Sequence, residues 1–192
     1  MSRQVKWLLG IAVVLLAIGV PLAYSAYYGT HFRNFRIMED GVLYRSGQLT
    51  PHGLDTIVKE HGIRTVISLR TSRDPNKPHP DTFEEDYCNS HGMKFVRLIP
   101  KVWSVQDGKV PAQVNVDKFL EVMNDKANHP VLIHCFAGIH RTGTFCTIYR
   151  MEYNGWSSAE ALAELRSLGY ENVDDHVEVV DFLTKYKPQA TK

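Results

Sequence analysis

The chain has 192 residues, of which 44% are hydrophobic and 22% charged, which excludes a disordered or collagen-like chain and allows one globular domain plus an appendage. The formal net charge of +1 shows no excess of basic residues, so no nucleic-acid partner is predicted. The three cysteines, Cys88, Cys135 and Cys146, are too few and too scattered for a disulfide framework and show no metal-ligand spacing, so no metal site is predicted.

The N-terminal part is an apolar stretch. Residues 7–30 contain no charged side chain and are long enough to cross, as a helix, a hydrocarbon core about 30 Å thick. Trp7 lies at one end and three tyrosines lie at the other, as interfacial aromatic residues do. We expect residues 1–30 to be a membrane anchor that contacts the bilayer through residues 7–28. A signal segment cleaved near "AYS" and a buried core helix are the alternatives.

The charges that flank the apolar stretch bear on its orientation. Arg3 and Lys6 precede it and favour a cytoplasmic N-terminus, whereas Arg33 and Arg36 follow it and favour the opposite orientation. The sequence therefore predicts a single-pass membrane protein, with weak preference for a soluble domain outside the cytoplasm. Residues 31–41 are predicted as a connector and residues 42–188 as the soluble domain.

Helical and strand-like segments alternate in the soluble part. Thr50 before Pro51 marks a helix start and Gly62 a helix end, and Ser157 with Glu160 forms a capping box. Strands are predicted at 63–70, 93–99 and 130–135, and helices at 51–62, 81–92, 114–125, 142–153, 158–169 and 174–186. This alternation predicts an α/β fold with a mainly parallel central sheet flanked by helices, preceded by one N-terminal hydrophobic helix.

The segment "VLIHCFAGIHRTGTFC", residues 131–146, places a thiol between a predicted strand and a predicted helix. Cys135 ends the strand, and residues 136–141 form a tight loop in which backbone amides and the helix dipole can bind a phosphate-like anion. The same environment lowers the pKa of a cysteine and makes the nucleophilic thiolate available. Arg141 can contact two phosphate oxygens, and Thr142 can form a hydrogen bond with the sulfur.

The ten positions His134-Cys135-x-x-Gly138-x-x-Arg141-Thr142-Gly143 resemble the signature of the protein tyrosine phosphatase superfamily. "LYRSGQLT" and "HGIRTVISLR" also resemble its small dual-specificity branch. The resemblance implies a cysteine-phosphatase fold over the soluble domain and a phosphomonoester hydrolase without a cofactor, in which Cys135 is the nucleophile and His134 and Thr142 are supporting residues. It implies that the phosphate loop consists of Phe136, Ala137, Gly138, Ile139, His140 and Arg141.

The resemblance further implies an aspartate that acts as general acid about thirty residues before the nucleophile. Asp107 precedes Cys135 by 28 positions and lies in an Asp-Gly turn, so it is the predicted acid. No aromatic-Pro-Asp sequence surrounds Asp107, and Asp74 in the irregular loop 71–81 is its rival. Asp117 is predicted to lie within a helix.

The sequence allows three classes of function. The predicted substrate is phosphotyrosine, phosphoserine or phosphothreonine in proteins or a small phosphoester, and a lipid or inositol phosphate is the alternative, although the variable loop positions carry no lysine or arginine. A phosphate-binding module without activity is a second class. A sulfur transferase or arsenate reductase is a third, but the loop is one residue too long for the former and a partnered thiol is lacking for the latter. Arg45 and Arg70 are predicted to form structural ion pairs.

Overall fold

A central sheet organises the domain. A computed structural model describes residues 2–72 and 74–189, and its five strands have the order β1-β2-β5-β3-β4. The strands are β1 (Arg36–Glu39), β2 (Leu43–Ser46), β3 (Thr65–Ser68), β4 (Lys94–Arg97) and β5 (Val131–His134). β1 pairs antiparallel with β2 and all other neighbours are parallel, which confirms the predicted mainly parallel sheet.

The helices begin and end close to the predicted signals. Those described are α1 (Arg3–His31), α2 (Pro51–His61), α3 (Thr82–Ser90), α4 (Gln113–Asn124), α5 (His140–Tyr153), α6 (Ser158–Ser167) and α7 (Val177–Lys185). The Thr50 hydroxyl caps α2, Gly62 ends it with a φ of 63°, and the capping box opens α6. α7 begins later than predicted because residues 173–175 form a short 3₁₀ helix instead.

Two strands were not predicted from the sequence. β1 lies inside the segment 31–41, which was predicted as a connector, so this segment contributes an edge strand to the sheet. β1 and β2 have four residues each and mix charged with apolar side chains, so neither shows a clear period of two. All four residues of β2 are nevertheless buried, because β2 lies between β1 and β5.

Helices cover both faces of the sheet and leave the carboxyl ends of the strands accessible. Leu132 of β5 packs in the apolar layer with α2 and α3, whereas Val131 and Ile133 pack in the layer with α4 to α7, as side chains that alternate along a strand do. Ser46, His134 and Ser68 are in register on three neighbouring strands. Residue 135 therefore follows the central strand at the edge where open α/β sheets bind ligands.

Helix α1 differs from the others because it buries none of its residues within the described part of the chain. Its most apolar window has a mean hydropathy of 2.3. By length and composition it can cross a membrane, and a signal segment has the same properties.

Candidate active site

The loop after β5 has its carbonyl groups bound to the surrounding domain. The carbonyls of Phe136, Ala137 and Gly138 accept hydrogen bonds from the Gln48 backbone amide at 2.9 Å, Asn34 Nδ2 at 2.8 Å and Arg45 Nη2 at 2.6 Å, respectively. In a trans peptide the N–H points away from the C=O. The amides that follow these carbonyls therefore point away from the three partners, and the Gly138 amide donates to Cys135 Sγ at 3.2 Å.

Gly138 is required at its position for two reasons. Its φ is 74°, in the left-handed region that residues with a Cβ rarely adopt. A Cβ at Gly138 would also lie 2.3 Å from the Gly47 backbone nitrogen and 2.5 Å from the Ser46 carbonyl oxygen. The glycine thus permits the loop to pack directly against the end of β2.

The Cys135 thiol is buried, 5% exposed, and its environment favours the thiolate. Burial by itself would raise its pKa, but the Thr142 hydroxyl, the backbone amides of Thr142 and Gly138 and the nearby His134 imidazole together hold that pKa below its usual value. The other two cysteines are also buried, as expected, and behave in the opposite way. Burial raises the pKa of the Cys88 thiol to about 12 and that of the Cys146 thiol to about 11.

His134 supports the loop from below through a buried ion pair that was not predicted. Its Nε2 lies 2.9 Å from Glu84 Oε2 of α3, and its Nδ1 lies 3.3 Å from the Cys135 carbonyl oxygen. Burial opposes a charged imidazole, but the Glu84 carboxylate, together with the carbonyl and the thiol of Cys135, more than offsets it, so the pKa of His134 is raised. The start of α3 is fixed by Arg97, whose Nη2 lies 3.1 Å from Asp81 and 2.8 Å from Glu85.

The predicted ion pairs of Arg45 and Arg70 are wrong for the described part of the chain. Arg45 is 2% exposed and donates to the Gly138 carbonyl, while its Nε has no partner among the described residues. Arg70 Nη1 donates to the Gln48 side-chain carbonyl instead of a carboxylate. Both guanidinium groups therefore contribute positive charge near the loop without a directly paired anion.

Arg141 is exposed at the first turn of α5, which begins at His140 and not at residue 142 as predicted. Its Nη1 donates to the Leu69 carbonyl at 3.2 Å, after β3. Beside it lies a cavity of about 320 Å³ whose lining includes Lys101, Trp103 and Asn115. Four of the five N–H donors of the guanidinium are not used in this bond.

His140 and Gly143 take positions that the signature alone did not predict. The exposed His140 ring lies 4.3 Å from the Tyr170 ring, between centroids, and burial together with His176 and Arg141 lowers the pKa of His140. Gly143 is helical, and a Cβ there would lie 2.4 Å from Leu165 Cδ1. Its role is to let α6 approach α5, and not to supply an unusual backbone conformation.

Phe136 stands at the rim of the loop, 55% exposed, between two guanidinium groups. The Cζ atom of Arg33 lies 4.4 Å from the ring centroid and that of Arg70 lies 5.2 Å from it. These are cation–π distances. The variable positions of the loop carry no lysine or arginine, and Arg33 and Arg70 supply positive charge beside Phe136 instead.

Asp107 and Asp74 are both on the surface, in different local structures. Asp107, with a φ of 49°, and Gly108, with a φ of 75°, form the two-residue turn between Gln106 and Lys109. Within residues 2–72 and 74–189 the Asp107 carboxylate has no hydrogen bond or ion pair. Asp74 Oδ1 accepts the Asn76 amide at 3.0 Å, and its Oδ2 lies 3.9 Å from Lys77 Nζ.

Comparison with known proteins identifies the family. Residues 31–179 match the family described as "PTP-NADK: DSP-PTPase phosphatase fused to NAD+ Kinase", and the chain belongs to this family of dual-specificity-type phosphatase domains. The inositol diphosphatase DSP3 of Arabidopsis thaliana is 29% identical over 131 residues, which are 68% of this chain and 60% of that relative. The dual specificity protein phosphatase CDC14B of Mus musculus is 28% identical over 77% of this chain and 26% of its own length.

The chain thus spans less than two thirds of the length of either curated relative. Among solved structures, the core catalytic domain of the PP-IP phosphatase SIW14 from S. cerevisiae superposes with a TM-score of 0.62 at 22% identity. The match covers 82% of this chain and 87% of that domain, and it confirms the predicted cysteine-phosphatase fold.

Proposed function

We propose that the chain is a phosphomonoester hydrolase that works through a cysteinyl-phosphate intermediate. The observation that carries this proposal is the Cys135 thiol of lowered pKa, buried in a loop whose carbonyls are bound outward. The amides that follow these carbonyls point to the opposite side, where the Gly138 amide contacts the sulfur. The thiolate attacks phosphorus, the ester oxygen leaves with a proton, and water then breaks the S–P bond and releases phosphate.

The proposed roles of the residues follow from their positions. The amides of the phosphate loop, residues 136–141, and the Arg141 guanidinium bind the phosphoryl oxygens and stabilise the charge that develops on them. Thr142 stabilises the thiolate as attacking and leaving group, and His134 maintains its charge. No metal ion or organic cofactor takes part in these steps.

We assign the general acid to Asp107. Its carboxylate has no partner in the described part of the chain, so movement of the turn can bring it to the leaving oxygen without breaking an interaction. Asp74 is the weaker candidate because its carboxylate already accepts the Asn76 amide. Loop motion of this kind on substrate binding is common in enzymes.

We further propose that residues 1–30, which contain all of α1 except His31, are an uncleaved single-pass anchor. Residues 42–188 carry the catalytic residues and lie outside the cytoplasm. The absence of charge from residues 7–30 and the absence of any buried residue in α1 support the anchor. Alkaline extraction of membranes tests it, because an anchored chain stays in the pellet. Digestion by protease in spheroplasts tests the side, and protection of the domain would place it in the cytoplasm.

The likeness to a dual specificity protein phosphatase supports phosphorylated proteins as the first candidate substrates. A second candidate is a lipid or inositol phosphate, and one observation favours it. Arg33 and Arg70 flank Phe136 at the rim, where a further anionic group of such a substrate would lie.

The test of the proposed function compares wild type with Cys135→Ser on p-nitrophenyl phosphate. We expect the substitution to lower kcat by about 10⁴-fold or more, as loss of a nucleophile does, while circular dichroism and phosphate binding stay unchanged. The conservative change Cys146→Ser, at a buried thiol of raised pKa, is the control. No turnover by wild type would favour the phosphate-binding module, and a tenth of the activity left in Cys135→Ser would exclude the covalent intermediate.

A further inference from the structure

The end of α1 is joined to the catalytic domain by direct contacts and not by a free linker. Tyr27 Oη shares a hydrogen bond of 2.7 Å with His52 Nε2, and His31 Nδ1 shares one of 2.7 Å with Thr50 Oγ1. Phe32 follows α1 and is buried in the apolar layer beside α2. These contacts fix the last turn of α1 on the first turn of α2.

The next two residues touch the phosphate loop itself. The Arg33 carbonyl accepts the Gly47 amide at 2.6 Å, and its guanidinium lies over the Phe136 ring. Asn34 Nδ2 donates to the Ala137 carbonyl at 2.8 Å. The wall of the phosphate loop is therefore built in part from the two residues that stand just beyond the proposed membrane anchor.

These contacts set the height of the loop above the bilayer. Tyr24, Tyr27 and Tyr28 near the end of α1 have the positions of interfacial aromatic residues. At 1.5 Å per residue, His31 lies only about 5 Å beyond Tyr28 along the helix. A headgroup layer is about 5–7 Å thick on each side of the hydrocarbon core, so Arg33 and the loop rim lie at the level of the lipid headgroups.

The rim of the loop carries charged and aromatic side chains, which are favoured at the level of the lipid headgroups. Phe136 is exposed between the guanidinium groups of Arg33 and Arg70. Cationic residues beside a membrane attract anionic lipid, and an exposed aromatic ring is favoured at the interface. A folded phosphoprotein would have to enter the narrow space between the rim and the bilayer, whereas a phosphorylated headgroup is already there.

We propose that the phosphomonoester hydrolysed at this site is carried by a membrane lipid. This inference rests on the proposed function. The phosphorylated headgroup enters between Arg33 and Arg70 while the acyl chains remain in the bilayer. Cys135 Sγ bonds to phosphorus as the P–O bond to the lipid breaks, the lipid leaves as an alcohol with the proton of the general acid, and water releases inorganic phosphate from sulfur.

The first experiment measures phosphate release by the full chain reconstituted in phosphatidylcholine vesicles. The vesicles contain dioleoyl phosphatidic acid or phosphatidylinositol 4-phosphate, and parallel reactions contain the same headgroups on water-soluble dihexanoyl chains or a phosphotyrosyl peptide. We expect at least one long-chain lipid to have the highest kcat/KM. A higher value for the peptide or for both soluble analogues would overturn the lipid assignment. If no ester is hydrolysed, the proposed function itself fails.

The second experiment moves the phosphate loop away from the bilayer without changing the residues or contacts of the loop. An insertion of eleven helix-forming, charged residues after Ser25 lengthens α1 by about 16 Å and nearly preserves the helical face, because eleven residues make about three turns. The contacts of Tyr27, His31, Arg33 and Asn34 are retained. The matched control has the same insertion after Ser2, at the other end of the helix.

We expect the insertion after Ser25 to lower the ratio of long-chain to short-chain lipid hydrolysis by at least about tenfold, because the local concentration of headgroups at the loop falls. Hydrolysis of the soluble analogues should not change, and the insertion after Ser2 should alter neither rate. An equal ratio in both insertion variants would show that the loop does not take its substrate from the bilayer.

Discussion

The two sides of the active site are built in opposite ways. On the nucleophile's side, three loop carbonyls are bound by Asn34, Arg45 and Gln48, and a buried ion pair supports the loop from below. On the side of the proposed acid, Asp107 stands at the tip of a two-residue turn, and its carboxylate has no partner in the described part of the chain. The proposed anion site is thus preorganised before substrate arrives, whereas the proposed acid has to be brought into place.

The two sides therefore differ in when the energy that orders them is supplied. Hydrogen bonds within the folded domain fix the loop geometry. The free energy needed to order the loop is therefore supplied during folding and does not reduce substrate binding. The turn that holds Asp107, the proposed acid, has no side-chain hydrogen bond from its carboxylate among the described residues, so substrate binding has to supply the free energy that orders it. Substitutions on the two sides should consequently differ in how strongly their effects depend on the leaving group.

The largest such effect is expected for Asp107→Asn. Hydrolysis of alkyl or phenyl phosphates should slow by about 10²–10⁴-fold, the usual contribution of a positioned acid, and the alkaline limb of the pH–rate profile should flatten. p-Nitrophenyl phosphate has a good leaving group and should be affected much less. Asp74→Asn is the control, and a leaving-group dependence that appears in Asp74→Asn and not in Asp107→Asn would transfer the acid role to Asp74.

On the preorganised side, Arg141→Lys should lower kcat/KM for p-nitrophenyl phosphate by about 10²–10³-fold, as loss of one transition-state donor does. A lysine ammonium cannot bond to the Leu69 carbonyl and present a planar pair of donors to phosphate at the same time. The loss should be similar for esters with good and poor leaving groups. Arg166→Lys, at an exposed ion pair with Asp174, is the matched control, and comparable losses in both variants would disprove the assignment of Arg141.

A smaller effect is expected for Arg45→Met, which removes the donor to the Gly138 carbonyl and keeps most of the buried volume. Leaving that carbonyl unsatisfied should lower the free energy of unfolding by about 1–3 kcal/mol. Misplacement of the loop should lower kcat by about 10- to 100-fold. Urea denaturation and steady-state kinetics measure the two losses, with Arg64→Met at an exposed position as control. Wild-type kcat in a destabilised variant would limit Arg45 to a structural role.

The sequence was sufficient for the parts of the fold that depend on neighbouring residues. The strand before Cys135, the capped ends of α2 and α6 and the short loop to α5 follow from local periodicity and helix signals. β1 and β2 were missed because their burial comes from partners distant in sequence: Arg45 is opposite Ile133 of β5, which no four-residue pattern can reveal.

The same reason explains what was missed in the site. Asn34 lies 103 positions before its partner Ala137, Arg45 lies 93 positions before Gly138, and Glu84 lies 50 positions before His134. Only the assembled sheet and α3 bring these residues together. An arginine in a short strand and a glutamate in a polar helix gave no signal of burial. The segment "LYRSGQLT" contains Arg45 and resembles the small dual-specificity branch, but its residues alone do not indicate the contact of Arg45 with the Gly138 carbonyl.

The smallest and most specific effect is expected for Glu84→Gln. In the wild type the Glu84 carboxylate raises the pKa of His134, and the charged imidazole helps to lower the pKa of Cys135. With a neutral amide, the pKa of the buried His134 should fall, its charge should be lost at neutral pH, and the pKa of the thiol should rise. The acidic limb of kcat/KM should therefore move to higher pH, with activity recovering towards the wild-type value above it.

The raised pKa of His134 also determines how the free energy of unfolding depends on pH. A histidine whose pKa is raised by folding contributes stability that is complete below its unfolded pKa and is lost as the pH rises through the folded pKa. The stability difference between wild type and Glu84→Gln should hence be largest in mildly acidic solution and shrink at alkaline pH. Glu85→Gln, the neighbouring position paired with Arg97, is the matched control and should leave the acidic limb in place. An unmoved limb in Glu84→Gln as well would mean that His134 positions the loop without setting the charge of the thiol.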